Sequence, residues 1–260
     1  MMDGFAVMLR KELLEAWRSQ RFLVVGVVFL LLGIISPVGA KYLPELLKAL
    51  GTSQQGVQVI VSTPTITDAI AQFLKNVAGT GVFVALLLPM GAVAREKEQG
   101  TASFVLTKPV SRQAFLAAKA LALFAVLTVG VALATIAAYF YTALLFEPVP
   151  VGDFLGCAAL ILLSLLVFAS FTFLGSALTQ APLAAVGIGA AAWVVLSLLG
   201  ILPHVGEYTP AGLVAAAGEV ALGKTPDHLA LTVLVNLGLI VVALGISWLS
   251  FSRQELYARA

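Results

Sequence analysis

The sequence FLGCAALILLSLLVFASFTFLGSAL occupies residues 154–178 and contains 25 consecutive residues without Asp, Glu, Lys, Arg or His. A helix needs about 20 apolar residues to cross a bilayer, because roughly 30 Å of hydrocarbon is covered at about 1.5 Å per residue. Five other stretches are similarly apolar and carry no such charge. The six predicted spans cover approximately residues 22–40, 77–94, 120–146, 154–178, 183–202 and 229–251.

The composition of the whole chain agrees with six spans. Of its 260 residues, 60% are apolar and 11% are charged, whereas soluble domains carry about 45–50% apolar and about 25% charged residues. This balance excludes a soluble enzyme, a disordered chain and a nucleic-acid-binding protein. Alternating strand patterns are absent. The predicted fold class is therefore an all-α integral membrane protein, with a single transmembrane domain over residues 1–260 in the lipid bilayer.

The basic residues indicate the orientation. With six spans, both termini lie on the same side of the membrane. If that side is cytoplasmic, it carries eleven of the 15 Lys and Arg residues, and the outer side carries Lys41, Lys48, Lys75 and Lys224. Because cytoplasmic loops are enriched in Lys and Arg, we expect both termini to be cytoplasmic.

Residues 1–21 are predicted to form an amphipathic helix at the cytoplasmic interface. Apolar side chains recur at helical spacing, and basic and acidic side chains lie mostly on the other side. The apolar positions are Phe5, Met8, Leu9, Leu13, Ala16 and Trp17. A cleaved signal peptide is disfavoured, because this segment is much longer than a short basic leader region. The helix is either a membrane anchor or also a contact for a cytoplasmic partner.

The first outer loop, residues 41–75, contains two short amphipathic stripes separated by a polar stretch. The first stripe covers residues 42–50, and the second covers residues 66–74. Thr65 and Asp68 have the spacing of a capping box at the start of the second. The pattern predicts two interfacial helices joined by a loop, which either gate an outer exit or cover the bundle.

The inner loop over residues 95–119 is long and charged, and its sequence begins REKEQGTASFVLTKPVSR. We expect residues 95–98 to extend the second span as a solvated helix that ends at Gly100 in a left-handed cap. Thr101 then begins a short helix that Pro109 ends, and Ser111 caps the helix that enters the third span. The short helix carries Phe104, Val105 and Leu106. A short apolar helix flanked by charge is suited to the groove of a partner protein. Pro89, near the inner end of the second span, is predicted to kink that span and is a hinge candidate.

The sequence contains no evident catalytic site. It lacks Gly-x-Ser-x-Gly, His-Glu-x-x-His and a Walker motif, so the chain is predicted not to be an enzyme. His204 and His228, without neighbouring Cys or paired carboxylates, form a poor metal site. The predicted spans contain no charged residue that could relay ions. A transport site formed by backbone carbonyls and hydroxyls is an alternative that stays open. If the protein transports a substrate, the simplest source of energy is a cytoplasmic motor protein on a separate polypeptide.

The charged loop resembles the first cytoplasmic loop of ABC transporter permeases of the ABC-2 family. That family includes the permease of nitrous-oxide-reductase maturation and many bacterial exporter permeases. The similarity lies in Arg95-Glu96-Lys97-Glu98-Gln99-Gly100-Thr101, in Leu106-x-x-Pro109-Val110-Ser111-Arg112 and in Lys119, together with Arg10-Lys11-Glu12-Leu13 near the amino terminus. The resemblance implies a multi-pass protein of a bacterial or archaeal plasma membrane.

The resemblance also implies partners. A second permease copy or a paralogue would pair with this chain, and each would dock one ATP-binding-cassette ATPase subunit. ATP and Mg would bind in that ATPase, with no cofactor in this chain. The implied ATPase contacts in the loop are Glu96, Glu98, Gly100, Thr101, Phe104, Leu106, Pro109 and Arg112. Those in the amino-terminal helix are Arg10, Lys11 and Glu12.

These observations predict the membrane-spanning subunit of an ATP-driven exporter. Two alternatives stay open: an ion-coupled or passive carrier, and a membrane scaffold or assembly subunit without transport. The sequence identifies neither the substrate nor the choice between homodimer and heterodimer.

Overall fold

A computed structural model describes residues 2–51, 63–100, 111–146 and 148–253 of the chain. Within these ranges the structure is helical and has no strand. In chain order the helices are α1 (Met2–Arg18), α2 (Arg21–Gly51), α3 (Ile66–Leu87), α4 (Ala94–Glu98), α5 (Arg112–Leu145), α6 (Val151–Leu178), α7 (Pro182–Leu199), a 3₁₀ turn (Gly206–Tyr208), α8 (Pro210–Ala221) and α9 (Leu229–Arg253). Helices α2, α3, α5, α6, α7 and α9 are long and apolar enough to span a membrane, which confirms the predicted six-helix architecture.

Helix α6 is the centre of the bundle. It contacts α3, α5, α7, α8 and α9, and Ile161 and Leu165 on it are fully buried. The helices at the periphery expose apolar side chains instead, including Leu183 on α7 (83% exposed) and Val241 on α9 (68% exposed). Apolar residues on the outside and at the centre are expected of a bundle surrounded by lipid.

Helices α2 and α5 approach each other closely through small residues. A Cβ atom added at Gly33 would lie 2.3 Å from the carbonyl oxygen of Ala134. A Cβ added at Gly130 would lie 2.9 Å from Val25 Cγ1. Glycine at these two positions therefore allows the two backbones to pack at short range, as small residues do between membrane helices.

The prediction of two separate interfacial helices in the first outer loop is wrong for the described residues. The first stripe continues α2 without a break to Gly51, and the second forms the first turns of α3. The reason is packing of α3 within the bundle. Phe73 is buried with its ring centre 5.3 Å from that of Phe154 on α6, and the Asn76 side-chain amide donates a hydrogen bond of 3.0 Å to Ser36 Oγ on α2.

The start of α3 follows the predicted capping box. The backbone N–H of Thr65 donates a hydrogen bond of 2.8 Å to the Asp68 carboxylate, and the Thr65 hydroxyl donates another of 2.7 Å. These bonds satisfy polar groups at a helix end that would otherwise depend on water. The predicted loop between the stripes, residues 52–62, lies outside the described residues.

The second span ends earlier than predicted. Helix α3 stops at Leu87, and residues 88–93 form a turn before the separate helix α4. Pro89 lies in this turn and has no N–H to continue the helical hydrogen bonds. The chain turns here instead of kinking, and residues 95–98 do not extend the span. A hinge role for Pro89 stays a prediction.

Helix α8 was not predicted as a separate helix. Thr209 precedes it, Pro210 is its first residue, and Leu213 and Ala217 are fully buried. Twelve residues give a length of about 18 Å, which is too short to cross the hydrocarbon. Helix α9 holds the preceding turn, because Thr232 Oγ1 donates to the Glu207 carbonyl (3.0 Å) and Asn236 Nδ2 donates to the Tyr208 carbonyl (3.0 Å).

Candidate functional site

One end of the bundle collects the elements that the sequence marks as a partner surface. We call it the charged end: it consists of α1, α4, the first turns of α5, and the last turns of α6 and α9. Side-chain contacts join these elements. Lys119 on α5 reaches α1 and α4, Lys97 on α4 reaches α6, and Arg112 on α5 reaches α9.

A buried cluster of charges lies at the centre of the charged end. The Lys119 ammonium is 2.7 Å from Glu96 Oε1 on α4 and 3.1 Å from Glu12 Oε2 on α1. The Lys119 side chain is 4% exposed and the Glu12 side chain 8% exposed. The same ammonium lies 5.1 Å from the centre of the Phe115 ring. Because buried charges need partners, this ion cluster holds α1 and α4 against α5.

Lys11 extends the cluster towards solvent. Its ammonium is 3.1 Å from Glu12 Oε1 and 3.3 Å from Glu15 Oε2. Partial burial by itself lowers the pKa of Lys11, but the hydrogen bond with Glu12 and the charges of Glu12, Glu15 and Glu96 outweigh it and raise the pKa. Lys11 therefore stays charged and balances the acidic groups of α1.

Helix α4 is attached to the end of α6. The Ser176 hydroxyl accepts hydrogen bonds of 3.0 Å from the backbone N–H groups of Val93 and Ala94, where α4 begins. The Lys97 ammonium donates to the carbonyl of Ala177 in the last turn of α6 and lies 5.4 Å from the centre of the Phe251 ring. A serine of one helix thus caps another, while a lysine satisfies a carbonyl at a helix end.

The structure separates the predicted contact residues into two groups. Glu12 and Glu96 direct carboxylate oxygens at Lys119, so they position α1 and α4 inside the cluster. Arg10, Glu98 and Gly100 are exposed, and Lys11 is half exposed. Contact of these residues with an ATPase stays a prediction.

Two local predictions for the inner loop are confirmed, and the others concern residues that the structure does not describe. Gly100 has a φ of +69° and ends α4 in a left-handed conformation. Ser111 begins α5, its hydroxyl accepting a hydrogen bond of 3.1 Å from the N–H of Ala114. The remaining predicted contacts, Thr101, Phe104, Leu106 and Pro109, fall outside the described residues.

Arg112, also a predicted contact, has a structural role. Its guanidinium donates to the carbonyls of Ser252 (2.9 Å) and Phe251 (3.3 Å) in the last turn of α9. A cation there is favourable because the carboxyl end of a helix carries partial negative charge. Arg112 thus joins the start of the third span to the end of the sixth.

Sequence reasoning missed the role of Ser176, and it used Lys119 only as a basic residue on the cytoplasmic side and as one position of the family resemblance. For Lys119 a signal was present: it is the only charged residue within AFLAAKALAL, residues 114–123. A lysine among apolar residues near a helix end needs a partner carboxylate or access to water. Ser176 had no such signal, because its contact lies 82 residues away in sequence, at Ala94.

The environment of Lys97 leads to a pH prediction. Burial lowers the pKa of the Lys97 amine to about 8. In competitive acetylation of the purified protein, we expect the reactivity of Lys97 to have its midpoint near pH 8, whereas ordinary lysines have a pKa of about 10.4. Between these two values the unfolded chain binds more protons than the folded one, so this group's contribution to stability rises with pH. The Lys97→Met variant should lack that rise. A labelling midpoint near 10 would show that burial does not lower the pKa of Lys97.

Comparisons with known proteins agree with this architecture. A family model described as "ABC-2 family transporter protein" matches residues 6–211, well over half of the chain. The chain is also similar to the Bacillus subtilis (strain 168) protein named "Uncharacterized transmembrane protein YxlG". The two are 24% identical over 259 residues, which cover 98% of this chain and 100% of that protein. The family match begins within α1 and ends within α8, so it includes Glu12, Glu96 and Lys119.

Proposed function

Because the chain belongs to the ABC-2 family of transporter proteins, we propose that it is the membrane-spanning subunit of an ATP-binding-cassette exporter. It is a multi-pass membrane protein with six apolar helices. In this proposal the charged end is cytoplasmic in a bacterial or archaeal plasma membrane and receives a separate ATPase subunit. ATP and Mg bind in that ATPase, and this chain supplies no catalytic group.

The buried contact of Lys119 with Glu12 and Glu96 is the observation that carries the proposal. Both elements predicted to touch the ATPase, α1 and the loop that begins with α4, are joined through Lys119 to α5. Helix α5 has 34 residues and also packs against α2, α6 and α1. Displacement of α1 or α4 by an ATPase would therefore move a spanning helix, as coupling of ATP hydrolysis to transport requires.

The charged inner loop, residues 95–119, supplies the test of the ATPase contact. We expect the double substitution Phe104→Asp and Leu106→Asp to reduce co-purification of an ATPase with a Walker motif by more than about tenfold. Apolar anchors at the centre of an interface carry most of its binding energy, and a carboxylate there is desolvated without a partner. The measurement is pull-down from native membranes, with the ATPase identified by mass spectrometry and ATP hydrolysis assayed in the eluate.

The matched control places the same charges at the other end of the bundle. Val205 and Leu222 are exposed apolar residues there, and Val205→Asp with Leu222→Asp should leave co-purification unchanged. An ATPase retained equally by both double variants would show that this loop does not dock it.

A second permease copy or a paralogue completes the proposed transporter. Exposed apolar side chains on α7 and α9 form a surface for lipid or for such a partner. Membrane helices associate by close packing of surfaces like this one. Cross-linking in native membranes distinguishes a homodimer from a heterodimer by the mass of the product. The two other functional classes predict no ATPase in the complex: a carrier would transport in its absence, and a scaffold would not transport.

A further inference from the structure

A groove runs between α2 and α3 beside the charged end. Its apolar lining includes Val24, Val28, Val84, Leu87 and Leu88, and it encloses about 350 Å³. Val24 is 55% exposed and Leu87 is 52% exposed, so the groove opens to the outside of the bundle. At the depth of the spanning helices, that outside is lipid.

Two arginines lie at the inner end of this groove. Arg21 is the first residue of α2, and Arg95 belongs to α4. Arg95 lies close to the backbone at Gly91, where an added Cβ would be 3.5 Å from Arg95 Nε. Neither guanidinium forms a hydrogen bond or an ion pair with any residue that the structure describes. Two arginines without a partner among the described residues thus border an apolar groove.

The same two arginines also line a second cavity, of about 200 Å³, that leads inwards to Glu12, Glu15 and Glu96. These three carboxylates are already paired with Lys119 and Lys11. The three carboxylates and the two lysines together carry a net charge of −1, and the two arginines bring this net charge to +1. The positive charge lies at the boundary between the cavity and the groove.

We propose that the groove and the two arginines form a binding site for an anionic phospholipid. The headgroup phosphate lies between Arg21 and Arg95, and an acyl chain occupies the groove between α2 and α3. Guanidinium groups bind phosphate through charge-assisted, often bidentate hydrogen bonds. Basic pockets between membrane helices attract anionic headgroups, while apolar side chains hold the chain. The headgroup would fill the space between α2 and α4, and the acyl chain the groove between α2 and α3. The site does not depend on an ATPase.

The apolar part of the site selects a lipid over a free anion. A soluble phosphate would gain only the two arginines and would lie near three carboxylates. A phospholipid also fills the groove with hydrocarbon, and its headgroup remains at the boundary where the positive charge is. Both parts of the site are therefore expected to be necessary.

The test is native mass spectrometry of the full-length protein in detergent, titrated with phosphatidylglycerol, phosphatidylcholine or glycerol phosphate. We expect one phosphatidylglycerol adduct that binds about 30-fold more tightly than phosphatidylcholine, from two basic residues at the headgroup. Arg21→Gln with Arg95→Gln should abolish this preference. Val28→Trp should weaken the adduct by filling the groove while both arginines remain.

The matched control removes two other arginines from the charged end. Arg18→Gln with Arg253→Gln changes the net charge equally, and both residues are exposed, so this variant should keep the preference. Size-exclusion profiles and circular dichroism establish that all variants fold. Equal binding of both phospholipids, or a preference retained without Arg21 and Arg95, would overturn the proposal. So would glycerol phosphate binding as tightly as phosphatidylglycerol, which would indicate a free-anion site. If the double Gln variant instead dissociates a dimer that carries no lipid, the groove is a protein interface.

Discussion

Replacing Lys119 with Met should lower the free energy of unfolding by about 3–5 kcal/mol, because it leaves Glu12 and Glu96 without their buried cation. The two carboxylates lie within 3.1 Å of the Lys119 ammonium, and the Glu12 and Glu96 side chains are only 8% and 18% exposed. Removing one member of a buried ionic cluster is more damaging than removing all of it. In thermal unfolding of the purified protein, the midpoint should fall by about 10 °C.

Two variants give this prediction its control. The triple variant Glu12→Gln, Glu96→Gln and Lys119→Met removes the three buried charges at the centre of the cluster, so it should recover most of the lost stability. Lys224→Met removes an exposed lysine from the opposite end of the bundle and should change stability by less than about 0.5 kcal/mol. If Lys119→Met and Lys224→Met unfold at the same temperature, Lys119 does not hold the cluster.

The triple variant also separates stability from coupling. If the cluster transmits motion from an ATPase to α5, neutral side chains should restore folding without restoring ATP-driven transport. The glutamines and methionine of the triple variant no longer supply strong attraction between α1, α4 and α5. ATP hydrolysis by the reconstituted complex should then proceed with little substrate movement. Full recovery of transport would assign the cluster to stability alone.

The six spans, the capping box at Thr65, the left-handed Gly100 and the cap at Ser111 were predictable because each depends on a few neighbouring residues. Hydrocarbon thickness sets the length of a span, and a cap needs side chains only three residues apart. Local physics of this kind is visible in one sequence.

The features that sequence reasoning missed depend on partners distant in sequence. Glu12 and Lys119 are 107 residues apart, and the cap of α4 is supplied by Ser176 from another helix. The stripe that begins α3 has the same amphipathic pattern whether its apolar side faces a membrane surface or the interior of the bundle. Only the packing of Phe73 and the hydrogen bond from Asn76 to Ser36 distinguish the two arrangements. Tertiary contact, not local pattern, decides such cases.

The charged end shows the same limit for function. The resemblance implied that Glu12 and Glu96 contact an ATPase, and that contact stays a prediction. A resemblance gives residue types at positions and does not show which way a side chain points. In the structure these two acids face Lys119, while Arg10 and Glu98 remain exposed. Exposed and buried members of one motif should therefore respond differently to substitution. The first group would affect partner binding, and the second the stability of the charged end.

Replacing Gly33 with Ala is the second substitution with a large expected effect, and we expect a loss of about 3 kcal/mol in the free energy of unfolding. The new Cβ would lie 2.3 Å from the Ala134 carbonyl oxygen and 2.9 Å from the Ala134 Cα and carbonyl carbon. These are backbone atoms of α5, so no side-chain rotation relieves the overlap, and α2 and α5 must separate. Overpacking of this kind typically destabilises by about 1–3 kcal/mol, and a rigid backbone contact places Gly33 at the upper end.

Gly39 provides the matched control on the same helix, because a Cβ added there meets nothing within 4 Å. Gly39→Ala should be neutral or stabilise the protein by about 0.4–1 kcal/mol, since alanine reduces the freedom of the unfolded chain. Unfolding midpoints of the two variants, measured in the same detergent, therefore should move in opposite directions or differ by at least about 5 °C. Separation of α2 from α5 would also open the core around Phe29 and Leu127, both fully buried. Faster proteolysis of Gly33→Ala alone would report that opening, and equal midpoints for the two alanine variants would refute the close approach of the helices at Gly33.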